Sequence, residues 1–226
     1  MVCELQSVAG KCRRTFLYIG QTMPAAKSNR PKFSNQPKQS RQTKVKRLSS
    51  KTVFRGKVFD VISERVREPN GVVAVRDVVR HSGSVVILAV DDAGREPRVL
   101  LEKQYRYAAE DYLWELPAGR IDPREKALAG ARRELQEETG YRAGSWKRAL
   151  FFYPSPGFLD ETMTVYLASG LIPGEANPEA DEDIDCEMVP LSRVVSMVLS
   201  GGIRDGKTIA AVLWLAEVRR GQPSRA

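Results

Sequence analysis

The segment "GRIDPREKALAGARRELQEETGY", residues 119–141, limits what this chain can fold into more than any other stretch. Its residue spacing predicts a helix with Asp122 as the N-cap, Pro123 at the first helical position and Glu125 at the third. Gly140 is typical of the left-handed residue that ends a helix. The segment therefore predicts one long helix with a defined beginning and end.

Three carboxylates crowd the second half of this helix, at Glu134, Glu137 and Glu138. They border the apolar stripe that is formed by Leu128, Ala131 and Leu135. Like charges at these spacings repel each other, and an acidic helix face is most often simply solvated. These acids lie beside the apolar stripe and not opposite to it, so they are expected at the edge of the core. Hard oxygen ligands at this density suit Mg²⁺ or Mn²⁺.

The charge of the chain is unevenly distributed. The formal net charge is +8, but residues 1–50 hold eleven of the 36 Lys and Arg residues and one of the 28 acids. The rest of the chain is therefore slightly acidic, and nucleic-acid binding is not expected except through the basic segment. We expect residues 1–51 to be a disordered basic tail, with organellar targeting and a start at Met23 left open as alternatives.

Cysteine, histidine and hydropathy exclude several classes of protein. The three cysteines show no paired or metal-type spacing, which fits a reducing compartment, and we expect a cytoplasmic protein. A single histidine leaves little room for a zinc site or a Ser-His triad. The longest apolar run, "VVILAV" at 85–90, is too short to span a bilayer.

Short strand-like segments dominate from residue 52 onwards. Two of them flank the turn "PNG" (69–71), which predicts a hairpin, and the chain ends in two helical segments. This order predicts an α/β fold with a mixed sheet. We expect a domain over residues 52–220 that begins with N-terminal strands over 52–80, and a short tail over 221–226.

The helical segment resembles the Nudix box at every fixed position. Gly119 is followed by Glu125 at the expected distance and then by "RELQEETGY" at 133–141, where Tyr141 replaces the usual aliphatic residue. The resemblance covers about residues 52–218. It implies an α/β/α sandwich and an enzyme that hydrolyses a nucleoside diphosphate linked to another group, with Mg²⁺ as cofactor and Mn²⁺ as a substitute.

The resemblance also implies roles for individual residues. Metal ligands would be the carboxylates of Glu134 and Glu138 and the carbonyl of Ala118, with Glu137 ligating or assisting. Arg133 and Glu125 would pair and hold the loop against the helix.

Other positions resemble the ADP-ribose pyrophosphatase subfamily. Pro156, in "SPGFLDE", stands at the subfamily's marker offset from the box, and Arg106 matches an arginine that contacts substrate. Arg76 is a weaker match to a second such arginine. The expected products are AMP and ribose 5-phosphate. A hydrolase of another nucleoside diphosphate sugar, such as GDP-mannose, and a non-catalytic nucleotide sensor are the alternatives.

The residue that activates water stays open at this point. In the family, an acidic loop corresponding to "PEADEDID" (178–185) supplies a metal ligand and in some members the base, and Glu182 matches the ligand position. Ala180 stands where some relatives carry the base, so Glu161, Glu179 and Glu182 are the candidates. Members with this pattern are commonly homodimers in which the N-terminal strands, here residues 53–80, form the dimer. An aromatic residue such as Phe54 or Phe59 would then lie near the adenine, whereas packing of both residues in the core is the default expectation.

Overall fold

The computed structural model describes residues 44–178 and 183–221. The strands within them are β1 (Lys46–Arg55), β2 (Asp60–Arg67), β3 (Val73–Arg80), β4 (Ser84–Asp91), β5 (Arg98–Arg106), β6 (Asp111–Glu115), β7 (Ala118–Arg120), β8 (Arg142–Phe152), β9 (Met163–Ile172) and β10 (Ile184–Pro190). The α-helices are α1 (Ala127–Thr139), α2 (Leu191–Leu199) and α3 (Gly206–Arg220).

The strands form two sheets. β1, β2 and β3 make an antiparallel sheet, in which the predicted hairpin turn at 69–71 joins β2 to β3. The larger sheet has the order β10-β5-β4-β9-β8, with β6 paired to β5 and β7 paired to β4. Only the β4–β9 pair is parallel among the described strands of this sheet, so it is mixed as the sequence predicts.

Strand β4 lies at the centre of the core and is buried on both faces. One buried cluster joins it to α1 and contains Val85, Ile87, Ala89, Ala131 and Leu135. A second cluster joins it to α2 and α3 and contains Val86, Leu88, Val90, Val194 and Leu215. Alternate side chains thus enter two helical layers, which explains why this strand is one unbroken apolar run. The predicted α/β/α sandwich is confirmed.

Helix α1 begins later than the sequence predicts. Its N-cap is Lys126, which makes no side-chain capping bond, so the predicted start at Asp122 and Pro123 is wrong. Residues 122–125 form a turn instead, in which the Glu125 N–H donates to the Asp122 carbonyl and Arg124 has a φ of +71°. The helix ends as predicted at Gly140, whose φ is +72°.

Within the described part of the chain, regular structure begins at Lys46, before the domain boundary that the sequence predicts at residue 52. The predicted tail lies outside the described residues up to position 43, as does the C-terminal tail beyond residue 221. In the described residues, no helix is both long and apolar enough to cross a membrane.

Candidate active site

An open cleft of about 440 Å³ lies between α1, β7, the end of β5 and the turn between β1 and β2. Its lining residues are Lys57, Val58, Arg106, Ala118, Gly119, Arg120, Asp122, Arg133, Glu134, Glu137 and Glu138. The three carboxylates of α1 that the sequence singles out therefore share one cleft with Arg106 and Ala118. Acids line the helix side of this cleft, and three cations, Lys57, Arg106 and Arg120, come from other elements.

Arg133 is the hydrogen-bonding centre of the helix side. Its Nε and Nη2 donate to the two carboxylate oxygens of Glu125 at 3.1 and 3.0 Å, which confirms the predicted pair. Its Nη1 lies 2.8 Å from Glu134 Oε1 and 3.0 Å from Glu137 Oε2. Its Nη2 also donates to the carbonyl of Arg120, so one guanidinium joins the turn, β7 and the helix.

These contacts change the ionisation of the groups that make them. The hydrogen bond to Glu125, together with the charges of the neighbouring acids, raises the pKa of Arg133 well above its usual range. The same hydrogen bond lowers the pKa of Glu125. Arg133 therefore stays cationic and offsets much of the repulsion among the acids around it.

Glu134 lies directly against the backbone of β7. A Cβ added at Gly119 would come within 2.0 Å of Glu134 Cδ and 2.1 Å of Glu134 Oε1. A contact this short is impossible, so glycine is the residue that lets the carboxylate approach the strand. The fixed glycine of the motif thus has a local physical explanation.

Glu138 is held more deeply. It is 5% exposed, and its Oε2 accepts a hydrogen bond of 3.1 Å from the N–H of Ala118. Its own carbonyl accepts a long hydrogen bond from Cys186 Sγ in β10, at 3.9 Å. Glu138 and Ala118, both predicted metal ligands, are therefore neighbours at the base of the cleft.

The donor set fits a hard divalent cation. Carboxylate oxygens at Glu134, Glu137 and Glu138 are the ligand type that Mg²⁺ and Mn²⁺ prefer. The missing side chain of Gly119 leaves space for the carboxylate of Glu134. Within residues 44–178 and 183–221, no three acidic, Cys or His side chains are already gathered for a metal. Glu134 and Glu137 are paired with Arg133, so they would have to turn towards an ion to bind it.

Arg106 enters the cleft from the end of β5. Its Nε and Nη2 donate to both carboxylate oxygens of Glu115 at 2.8 Å, and these bonds are the main cause of its raised pKa. Arg106 is thus an oriented cation that lines the cleft.

Of the predicted site residues that the structure describes, Arg76 and Glu161 do not line the cleft. Arg76 lies on β3 and pairs with Glu68 across the hairpin at 2.6 Å. Glu161 accepts a hydrogen bond of 2.5 Å from Ser84 Oγ and lies 3.6 Å from His81 Nδ1. In this conformation of the single chain, both residues serve contacts outside the cleft.

The remaining candidates for the base, Glu179 and Glu182, lie outside the described residues. The residues on either side of them are close to the site. The Asn177 N–H donates to the Glu137 carbonyl at 2.9 Å, and Ile184 pairs with Gln104 in β5.

Sequence analysis missed four residues at or near the site. Lys57 and Val58 line the cleft because the Arg120 guanidinium holds the β1–β2 turn by donating to the Lys57 carbonyl at 3.1 Å. Arg120 itself directly follows the fixed glycine and could have been suspected. Lys207, which pairs with Glu115 behind Arg106, comes from distant α3 and gives no local signal.

Comparison with known proteins agrees with this geometry. The family model described as NUDIX domain matches residues 80–212. An ADP-ribose pyrophosphatase of Bacillus subtilis (strain 168) is 38% identical over 172 residues, which cover 75% of this chain and 91% of the relative. An ADP-ribose pyrophosphatase of Mycobacterium tuberculosis (strain ATCC 25618 / H37Rv) is 40% identical over 178 residues, 77% of this chain and 84% of the relative.

A solved structure, the crystal structure of an ADP compounds hydrolase, superposes with a TM-score of 0.70 and covers 81% of this chain and 98% of that chain. At 23% identity this likeness concerns the fold alone. The fold, the cleft and the relatives together define a hydrolase of compounds that contain a nucleoside diphosphate. The chain belongs to the Nudix family, whose hydrolases generally depend on divalent metal ions.

Proposed function

We propose that this protein hydrolyses the diphosphate bond of ADP-ribose and releases AMP and ribose 5-phosphate. The observation that carries the proposal is the division of the cleft, with three carboxylates on α1 and the cations Lys57, Arg106 and Arg120 on other elements. Such a division suits a diphosphate that the carboxylates bind through metal ions on one side and that arginine binds directly on the other. ADP-ribose is supported as the substrate by the two relatives that carry this activity.

Glu134, Glu138 and the Ala118 carbonyl are the proposed ligands of Mg²⁺, with Glu137 as a further ligand or an assisting acid. Mn²⁺ would take the same oxygen donors. Metal ions bound by these ligands would neutralise phosphate oxygens and lower the pKa of a coordinated water. Glu138 is placed to ligate with little movement, since Ala118 already fixes its carboxylate.

Arg106 is proposed to bind the diphosphate. A guanidinium has five N–H donors, and the bonds to Glu115 use two of them. The remaining donors suit the oxygens of a phosphate. Arg76 remains a proposed nucleotide contact, through the dimer discussed below.

Hydrolysis needs a base that takes a proton from water while the water oxygen attacks one phosphorus and the bridging P–O bond breaks. We propose that this base is Glu182 or Glu179, in the acidic segment that follows Asn177 in the chain; the Asn177 N–H donates to the Glu137 carbonyl of α1. Glu161 is the less suited candidate because Ser84 and His81 already engage its carboxylate.

We also propose a homodimer that forms through the β1–β3 sheet. This sheet and its turns carry eight exposed large apolar residues, Leu48, Val53, Phe54, Val58, Phe59, Val72, Val73 and Val75. So many exposed apolar side chains on one small sheet are typical of an interface. Phe54 and Phe59 lie 5.9 Å apart between ring centroids and remain candidates for packing near the adenine.

The test is a substrate panel with purified protein. ADP-ribose, GDP-mannose, dinucleoside polyphosphates and NADH are each assayed with Mg²⁺, with Mn²⁺ and with excess EDTA. The proposal expects AMP from ADP-ribose at the highest kcat/KM, and no product in EDTA. Brisk hydrolysis of GDP-mannose alone would reject the substrate and keep the class, whereas ADP-ribose binding without turnover would establish a sensor.

The basic segment is proposed to act in location or partner binding and not in catalysis. A truncation that begins at Lys44 keeps all of β1 and should retain the kinetics of the full chain. A fluorescent fusion of the full chain and of the truncation tests the proposed cytoplasmic location against organellar targeting. A large loss of kcat in the truncation would contradict the proposed role.

A further inference from the structure

Behind Arg106 lies a buried ionic network that the proposed chemistry does not use. Its centre is Glu115, the last residue of β6, which is 1% exposed. Arg106 contacts this carboxylate from the cleft side through two hydrogen bonds. Lys207 contacts it through an ion pair between Nζ and Oε2, and the Lys207 side chain is only 9% exposed.

The N-terminal turn of α3 fixes Lys207 in this position. Asp205 is the N-cap of α3, where its Oδ2 accepts from the Thr208 N–H at 2.9 Å and lies 3.2 Å from Lys207 Nζ. Thr208 Oγ1 accepts a hydrogen bond of 2.8 Å from the N–H of Leu116. The helix is therefore attached to the segment that runs from Glu115 into β7 and the base of the cleft.

Two cations contact the buried carboxylate of Glu115. Arg106 binds it from the cleft side through both carboxylate oxygens, and Lys207 binds Oε2 from the side of α3. A buried carboxylate needs such partners, and each one removed leaves more of its charge on the other. Without Lys207 one positive charge behind Arg106 is lost, and an incoming diphosphate would meet a less positive surface.

We propose that Lys207 is a positioning residue that holds Glu115, and through it Arg106, in the orientation and charge state that bind the phosphates of the substrate. This inference rests on the proposed role of the cleft as a diphosphate site. Lys207 itself does not line the cleft, so it acts only through its neighbours. A purely structural ion pair would instead contribute to folding and leave phosphate affinity unchanged.

The experiment is a double-mutant cycle of Lys207→Met and Arg106→Met, with AMP and adenosine as probes in calorimetric titrations. Lys207→Met should weaken AMP binding about tenfold, the worth of one hydrogen bond to a charged group. Adenosine binding should stay unchanged because adenosine has no phosphate. In the Arg106→Met background the Lys207 substitution should have almost no further effect on AMP.

Steady-state kinetics of the same variants give a second measure of phosphate binding. Lys207→Met should raise KM for the diphosphate substrate about tenfold, matching the loss in AMP affinity, with a smaller change in kcat. Lys207→Gln, which keeps a hydrogen-bond donor without the charge, gives the same test if the Met variant does not fold. Equal losses of AMP and adenosine affinity, additive effects in the cycle, or a lower thermal midpoint with unchanged AMP affinity would each overturn the proposal.

The calorimetric titrations measure binding and do not depend on hydrolysis of a substrate. If AMP binds but ADP-ribose is not hydrolysed, the proposed substrate is rejected, and the titrations still test the role of Lys207. The cycle then repeats with whichever diphosphate compound the panel identifies.

Discussion

The N–H of Ala118 donates a 3.1 Å hydrogen bond to Glu138 Oε2 across a separation of 20 residues. This bond joins β7 to the last turn of α1 and fixes the most buried carboxylate of the cleft. It also brings together two of the proposed metal ligands, one carbonyl and one carboxylate. The position of Glu138 is thus set before any ion binds.

Glu138→Gln should lower kcat by about 100-fold or more, since the amide cannot supply the negative charge that a divalent ion requires. The amide oxygen can still accept from Ala118, so the thermal midpoint should change little. Activity and thermal unfolding are measured together, with the exposed Glu217→Gln on α3 as the matched control. Near-normal turnover in Glu138→Gln would remove this residue from the ligand set.

Gly119→Ala tests the space that Glu134 occupies. The added Cβ would meet the Glu134 carboxylate at 2.0 Å, so the side chain must move away from β7. We expect the concentration of Mg²⁺ needed for half-maximal activity to rise by about 10- to 100-fold.

Gly94→Ala is the control for this substitution, because its Cβ would meet nothing closer than 3.6 Å in the β4–β5 turn. An unchanged requirement for Mg²⁺ in Gly119→Ala would show that Glu134 does not ligate from this position.

Arg133→Lys tests whether one guanidinium must contact several acids at once. An ammonium group cannot bridge Glu125, Glu134 and Glu137 with fixed geometry, so the acids should repel each other and shift. We expect kcat/KM to fall by about tenfold or more, as when a partner of a metal ligand is lost. The comparison is Arg132→Lys, whose guanidinium instead lies over the Trp146 ring, 6.0 Å from its centroid. Equal activity in the two variants would contradict the role given to Arg133.

Glu115 should contribute to stability in a pH-dependent way. Burial raises the pKa of its carboxyl, but the hydrogen bonds from Arg106 and the charge of Lys207 outweigh burial, and the pKa lies below its ordinary value. A lowered pKa stabilises the folded state above the unfolded pKa of about 4.3, and this contribution is lost as the pH falls through the folded value.

The wild type should therefore exceed Glu115→Gln in free energy of unfolding by about 3 kcal/mol at pH 7. The difference should shrink below about pH 4. Urea titrations across pH 3.5–7 measure both values. A difference that stays constant over this range would show that folding does not shift the pKa of Glu115, and a difference that grows towards low pH would show that Glu115 is protonated in the folded protein.

The proposed dimer predicts that a charge on the β1–β3 sheet produces monomers. Val75, on β3, is 59% exposed in the single chain, and Val75→Glu should dissociate the dimer because an unpaired carboxylate would be buried in the interface. Light scattering after gel filtration gives the mass. Leu199→Glu at the exposed end of α2 is the control, and a wild-type monomer would reject the interface.

Local spacing predicted much of this protein. The positions of Glu134, Glu137 and Glu138 along one helix, the end of that helix at Gly140 and the β2–β3 hairpin all follow from contacts between residues close in the chain. The predicted start of α1 is wrong although the Asp122 N–H donates to Glu125 Oε2 as in a capping box. Arg124 has a φ of +71°, which a helix does not allow, and Arg133 holds this turn through Glu125 and the Arg120 carbonyl of β7. These contacts depend on how α1 packs beside β7 and leave no mark in the spacing.

The sequence by itself thus determined which carboxylates share a helix face. The helical period of 3.6 residues places side chains on a face according to their positions in the chain, and no other part of the protein is needed to find them. The tertiary structure decided which cations face these carboxylates and how those cations are held. Arg120 holds Lys57 at the cleft across 63 residues, and Lys207 reaches Glu115, the partner of Arg106, across 92. Such pairings depend on how the sheet and helices pack, and electrostatic contacts between distant elements follow from that packing and not from any local pattern.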